Sequence, residues 1–479
     1  MNTFISYRFL LCSAWILLAI SAARLHAQDT TVIRLGINTP DLEYAPTVTG
    51  DGRTLYFVSN RPGGFGGHDF WVTTKANRLD SVFTPPVNLG PPINTELNEG
   101  VASISSDGQT MYFTGCNRPD GLGDCDIYEA RLDGTTWNVV RDLKELNSIY
   151  WDSQPSISSD GRTIFFLSNR SGAIGGDGDA DIYYATRDAA GIWSPPRNLG
   201  PTINSPYRED SPFILPGGGA LYFSSARPGG FGGLDFYVSR RNQDGSWGTP
   251  ENLGGKINTA KDERFITLPA SGDILYFSAE RTIDAAYMRL DICMALLPPP
   301  LTTVMISGRV FERSSGASIP ADLVFVDSAS GRVISGAATN SATGEYSLVI
   351  NAGESSSIDV YGTATGYGPI HEKIDIPGTR KYLEVRADIP LSSAVASAPP
   401  LAGERAQSAL RISPNPASTT VTIESTGLHG GIEIDDVYGH QVYSGNVSDD
   451  RTTIDVARLP NGVYLARIGE SSAVFVVRR

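Results

Sequence analysis

Short runs of alternating apolar and polar residues, bounded by Gly-rich or Pro-containing stretches, fill the chain from about residue 30 to residue 297, without the apolar spacing of an amphipathic helix. These runs repeat. DGRTLYFVSNRPGGFGGHDFW from Asp51 returns as DGQTMYFTGCNRPDGLGDCDIY from Asp107 and as DGRTIFFLSNRSGAIGGDGDADIY from Asp160. Looser copies are GGALYFSSARPGGFGGLDFY from Gly218 and GDILYFSAERTIDAAYMRLDIC from Gly272. The aromatic residue at Tyr56 thus recurs at Tyr112, Phe165, Tyr222 and Tyr276, in steps of 56, 53, 57 and 54 residues. A second phrase separates the copies: PPVNLGPPIN from Pro85, RDLKELN from Arg141, PPRNLGPTIN from Pro195 and TPENLGGKIN from Thr249. Periods of this size, built from short strands and Gly-rich turns, predict propeller blades of four antiparallel strands.

IRLGIN, Ile33 to Asn38, resembles the separating phrase but precedes the first repeat, while the fifth repeat has no such phrase after it. An N-terminal strand that completes the last blade would leave no sheet edge open. The expectation is an all-β protein with five blades over residues 28–297, six being the alternative count, followed by two small β-sandwich domains. After Pro298 to Pro300 the alternation continues in a different pattern, ISGRVFERSSGASIPADLVFVDSASGRVISGAATNSATGEYSLVINAG, which predicts a β-sandwich over 302–391. Residues 392–406, SSAVASAPPLAGERA, have a linker composition, and 407–479 form the last segment.

The repeat P-x-x-S-x-D-G-x-x-(L/I)-Y-F-x-S-x-R-x-G followed by D-(I/F)-Y resembles the TolB-type, WD-repeat-like β-propeller family over more than half of the chain. The fourth and fifth copies depart from it, with LPGGG and SGD where Asp-Gly belongs. The order GRV, ADLVFV, TGEYSL and the Gly366-Tyr367 pair resembles the carboxypeptidase regulatory-like, transthyretin-like domain, which is non-catalytic in that family. The last segment, with PNP at Pro414 to Pro416, L-x-x-G-V-Y at Leu459 to Tyr464 and a basic end, is similar to the C-terminal sorting domain of type IX secretion, found in the Bacteroidetes group. That resemblance implies engagement with the type IX machinery, passage across the outer membrane, and attachment at the surface or release. The bland alternative is one more β-sandwich.

Composition fits this picture. Gly (51) and Pro (30) make up 81 of 479 residues, which favours turns and β structure. The first 27 residues carry an apolar run from Phe9 to Ile20 and a small residue at Ala27, and read as a signal peptide. No later stretch reaches the ~18 apolar residues of a membrane-spanning helix. The net charge is 38 − 52 = −14, or 36 − 52 = −16 without the leader, which argues against a nucleic-acid partner.

Candidate chemistry is sparse. Beyond the leader, histidine occurs only at His68, His371, His429 and His440, spread over three predicted domains, so no catalytic triad and no histidine-rich zinc site is proposed; His68 reads as a solvated loop residue. Arg61, Arg118, Arg170, Arg227 and Arg281 recur with Asp69, Asp126, Asp181, Asp235 and Asp291, and the expectation is that each Arg donates to its Asp or to loop carbonyls. Cys116 and Cys125 bracket the second loop as an expected disulfide, and Cys293 is left as a buried thiol. Asp177, Asp179 and Asp181 alternate as in a calcium loop, but Ile182 and Asp188 stand where an EF-hand needs Gly and Glu, so weak Ca²⁺ binding and a solvated turn both stay open.

Thirteen residues before the repeated aromatic stand Glu43, Glu99, Asp152, Glu209 and Glu263, all acidic. They are expected to begin the innermost strands and to gather near one channel mouth. Two readings stand: a cation site there, or five copies of a carboxylate that caps its own blade through backbone N–H groups. At the level of function, a non-enzymatic surface protein that presents loops, with exposed aromatics such as Phe65 and Phe231, to a glycan, peptide or envelope partner is set against a hydrolase or lyase that uses mouth carboxylates.

Overall fold

The computed structural model describes residues 32–477 except 175–179, 189–190, 243, 285–286, 298–302, 330–332, 352–355, 365, 368–369, 378–381, 393–409, 414–416, 426–429, 437–440, 460–461 and 470. The leader, His429 and His440 therefore lie outside the described residues.

Five four-stranded antiparallel sheets form the blades of a propeller. Blade one contains Glu43–Val48, Thr54–Ser59, Asp69–Thr74 and Val87–Asn88. Blades two, three and four begin at Asn98–Ile104, Asp152–Ile157 and Glu209–Ile214. Blade five holds Glu263–Thr267, Ile274–Asp284 and Tyr287–Leu296, and its fourth strand is Val32–Arg34 from the start of the chain, antiparallel to Tyr287–Leu296. The first strands of neighbouring blades touch one another around the ring, so they are innermost.

The separating phrase supplies the clamp that the strands alone lack. Asn94 accepts from the Phe70 N–H and donates to the Phe70 carbonyl, so one side-chain amide pairs with a third strand as a further strand would. Asn147, Asn204 and Asn258 do the same to Ile127, Ile182 and Phe236. In the N-terminal copy of the phrase, Asn38 clamps Ile292 and so closes the ring. Apolar cores lie between adjacent blades. Phe70 and Phe113 meet edge-on at 6.0 Å, and Phe236 and Phe277 at 5.7 Å.

Each innermost strand shifts register near its third residue. In four blades the residue there has positive φ without being glycine: Ala45, Gln154, Ser211 and Phe265. A bulge frees a backbone N–H. Side chains of adjacent blades accept it, Ser278 from Ala45, Thr114 from Gln154, Gln154 from Ser211 and Ser211 from Phe265.

Beyond the propeller, Thr303–Glu312 sits between Glu345–Asn351 and the parallel Leu383–Arg386, and also pairs with Ile389–Leu391. It shares a core with a second sheet, ordered Val333–Ala338, Asp322–Asp327, Ser357–Thr363 and Ile370–Asp375, through Ile306, Val310, Phe325, Tyr346 and Val360. Two more sheets follow in residues 410–477, packed around Val421, Ile434 and Phe475.

Candidate functional site

The innermost strands all run the same way, so the channel has an acid mouth, where they begin, and a turn mouth, where they end. The sandwich sits over the turn mouth. Ser347 Oγ donates to the Ser106 carbonyl, Asn340 Nδ2 to the Gly134 carbonyl at 2.9 Å, and the Arg78 guanidinium lies 5.1 Å from the Tyr382 ring centre. Val349, with Met305 and Ala270 beside it, lines a channel cavity of about 60 Å³ together with Thr47, Ser103, Ser156 and Phe265. That volume suits a few waters, not the about 300–1,000 Å³ of a small-molecule site. The channel cavity is therefore not ligand-sized, and the acid mouth is the end of the channel that the sandwich does not cover.

The five repeat acids are fully buried there, and each is held within its own blade. Glu43 takes the Thr39 N–H at 2.8 Å and hydroxyl at 2.6 Å, the Ser59 hydroxyl at 3.0 Å and Arg61 at 3.0 Å. Glu99, Asp152 and Glu209 repeat the pattern with Thr95, Ser148 and Ser205 and with Arg118, Arg170 and Arg227. Glu263 has the Thr259 contacts, and burial raises the carboxyls of Glu209 and Glu263 above their ordinary values. The four-residue spacing lets each carboxylate cap the loop that delivers its own strand. Of the two readings, these bonds are the ones that the capping carboxylate requires, and no group of three or more metal-ligating side chains occurs among the described residues.

Of the two partners expected for each Arg, the loop carbonyl is found and the following Asp is not: Arg61, Arg118, Arg170 and Arg227 donate to the carbonyls of Ile37, Ile93, Leu146 and Ile203 in the connecting loops. Each Arg of the first four blades pairs with the acid 18 or 19 residues before it rather than with the Asp after it. That Asp holds the Gly-rich loop. Asp69, Asp126, Asp181 and Asp235 accept the backbone N–H of Phe65, Leu122, Ile174 and Phe231. Those four apolar side chains stay exposed on the acid-mouth face. Gly66, Gly123 and Gly232 allow this packing, since a Cβ at any of them would strike backbone carbonyls of the next connecting loop. In blade five, Asp291 pairs with Arg34 of the closing strand.

Of the calcium-loop candidates, Asp177 and Asp179 lie outside the described residues, and Asp181 is engaged with Ile174 and Asn198. Cys116 and Cys125 are bonded to each other, and burial pushes the buried Cys293 thiol up to about 11. His68 is not simply solvated. It is half-buried, its Nδ1 lies 2.9 Å from the Tyr44 hydroxyl, and burial lowers its pKa.

The residue after each repeat acid differs from blade to blade: Tyr44, Gly100, Ser153, Asp210 and Arg264. Here the symmetry breaks. Arg264 and Arg208 each donate to the same oxygen, Asp210 Oδ2, at 2.6 Å, and the Ser211 hydroxyl occupies the other oxygen. The Asp210 side chain is 0% exposed, whereas Arg264 is 22% and Arg208 47% exposed. Burial works to raise the Asp210 carboxyl, but the two guanidiniums outweigh it and hold it below the ordinary range. Arg264 lies 5.0 Å from the Phe265 ring centre, and Phe265 in turn lies 5.5 Å from Tyr44. A strip runs without a break from His68 through Tyr44, Phe265, Arg264 and Asp210 to Arg208, across blades one, five and four. Sequence reading passed over it because it looked for what repeats; the available signal was the one column beside the acids that does not repeat.

Residues 411–478 match the family described as the secretion system C-terminal sorting domain. This domain engages the type IX secretion machinery, and it directs the chain across the outer membrane to the cell surface or extracellular space. No curated protein sequence matches the chain. Among solved structures, a thermostable family-43 glycoside hydrolase is similar at 11% identity, with 55% of this chain and 90% of that one covered and a TM-score of 0.38. An endo-arabinase from Bacteroides thetaiotaomicron VPI-5482 gives 14% identity, 56% and 95% coverage and a TM-score of 0.37. At these values the likeness carries no argument about activity.

Proposed function

We propose that this exported protein is a binding module, with a propeller that presents the acid mouth and its loop tips to a partner at the cell surface and a sandwich that serves as its base. One observation carries the reading: the carboxylate in the strip of side chains at that mouth, Asp210, is fully buried and clamped by two arginines. Glycoside hydrolysis needs two carboxyl groups, one of them protonated near neutral pH and free to reach the leaving oxygen. Burial raises the carboxyl of Glu209, next to Asp210, but its oxygens are taken by Ser205, Ser225 and Arg227. Glu43, Glu99 and Asp152 are likewise held by a loop hydroxyl and an arginine, and Glu263 by Thr259. The apolar tips Phe65, Leu122, Ile174 and Phe231, exposed on that face with Tyr150 and Tyr207, are suited to contact a partner.

The test applies the full chain to arrays of glycans and peptides and, in parallel, to the same glycans with reducing ends assayed. Retention without release of reducing ends is expected, and F65A together with F231A should weaken it. Turnover that disappears in D210N would replace this reading with the hydrolase.

A further inference from the structure

We propose that the acid mouth takes a carboxylate group of its ligand between Arg208 and Arg264, and that the ligand is an extended polysaccharide carrying uronate groups. The inference rests on the binding reading above and names the ligand class for that same site. Two guanidiniums share one carboxylate oxygen, each through a single Nη2, so two positive charges face one negative charge. Neither Nη1 has an acceptor among the described residues, and Arg208 is half-exposed. A guanidinium offers its donors as a planar fork, and a second carboxylate is the group whose shape and charge use what is left. Arc-like placement of the two arginines around a buried acid also fixes them in advance, which lowers the ordering cost of binding.

The surroundings favour a sugar acid over an acidic peptide. Tyr207 precedes Arg208 in the same connecting loop and is 46% exposed, and Phe231 of the same blade is 55% exposed on the same face. Exposed flat rings on the same face as a cationic fork give stacking surface for a pyranose, and the fork gives a counter-charge for its carboxylate. In a chain of net charge −14, an anionic polymer would be repelled by most of the surface, so attraction has to be local.

The experiment is calorimetric titration of the full chain with oligogalacturonate, with its fully methyl-esterified form, and with polyglutamate. Binding of oligogalacturonate is expected, weaker by at least tenfold after methyl esterification and by at least tenfold in R208A, with further weakening as salt is raised. R264Q is expected to behave like R208A; both arginines bond Asp210, and Arg208 is the more exposed of the two, so R208A is the variant that decides if R264Q melts early. Equal binding of acid and ester, unchanged binding by R208A, or binding of polyglutamate but not oligogalacturonate overturns the inference. If oligogalacturonate fails while another array ligand is retained and is lost in F65A/F231A, the uronate inference falls and the binding reading survives. If no ligand of any class is retained, both fall.

Discussion

Arg264 and Asp210, 54 residues apart and on the innermost strands of neighbouring blades, meet at 2.6 Å, and this ion pair joins blade five to blade four at the acid mouth. Arg208 reaches the same oxygen from the loop that delivers Asp210. A buried carboxylate is tolerated here because its charge is matched twice over, and its removal leaves two guanidiniums facing each other.

D210N is therefore expected to destabilise the propeller, toward the lower end of the about 3–5 kcal/mol for breaking a buried pair, since water screens the arginines. The pH dependence has a definite sign. The folded carboxyl lies below its unfolded value of about 3.9, so its contribution is present above that pH and is lost as pH falls through the folded value. Urea midpoints between pH 2.5 and 7 should show a steeper acid loss for the wild type than for D210N; parallel curves would contradict the clamp.

Ring closure depends on Asn38. Its amide both donates to and accepts from Ile292, tying the start of the chain to the last blade. N38A leaves a backbone pair without its partner, at a cost of about 1–3 kcal/mol, and should increase hydrogen exchange along Val32–Arg34 and Tyr287–Leu296. The equivalent N204A lies inside a blade closed by its own chain. It should lower stability without that local opening, and equal opening in the two variants would remove Asn38 from this role.

The blades and their closure were legible because repeated residues do the same architectural job in blade after blade: an Asn clamp and a capping acid in all five, and an Asp that holds a Gly-rich loop in four. The partners of these residues were less legible. Arg61 lies closer in sequence to Asp69 than to Glu43, yet it bonds Glu43, because the hairpin of Glu43–Val48 and Thr54–Ser59 brings residues 18 apart onto one end of the sheet. The fork of Arg208 and Arg264 around Asp210 was not legible at all, since it forms between repeats at a column with no consensus. Docking of Val349 against the turn mouth was equally hidden: alternation shows that a strand has two faces, not that one of them meets another unit.

Lys75 gives a prediction at the other end of the pH scale. It is buried where blade one meets blade five, with Nζ 2.5 Å from the Tyr276 hydroxyl, and burial lowers its pKa to about 8. The unfolded value is about 10.4. Between the two, the folded chain holds fewer protons than the unfolded one, so this contribution is complete above about 10.4 and is lost as pH falls to about 8. Cys293, pushed up to about 11, acts in the opposite sense, so the quantity to follow is the difference between wild type and K75M. The wild type should gain on K75M as pH rises from 8 to 10.4, and a flat difference would place Lys75 in a more hydrated setting.

The sandwich should melt with the propeller for as long as Val349 stays seated. Val349 is 4% exposed and lines the channel cavity, yet it lies outside the sandwich's own core, which is built on Ile306, Phe325, Leu348 and Val360. A charge at this position is buried against apolar and backbone atoms without a cation, at a cost of several kcal/mol that undocking relieves. V349D should thus separate one calorimetric transition into two, with the later or earlier component carrying an intact sandwich core. V349I, which keeps the contact apolar, should leave one transition. Hydrogen exchange at the turns around Gly50, Ser106 and Ala270, which face the sandwich, should rise in V349D alone. A single unchanged transition in V349D, with those turns still protected, would show that the polar bonds of Thr303, Asn340 and Ser347 hold the two units together without the apolar plug.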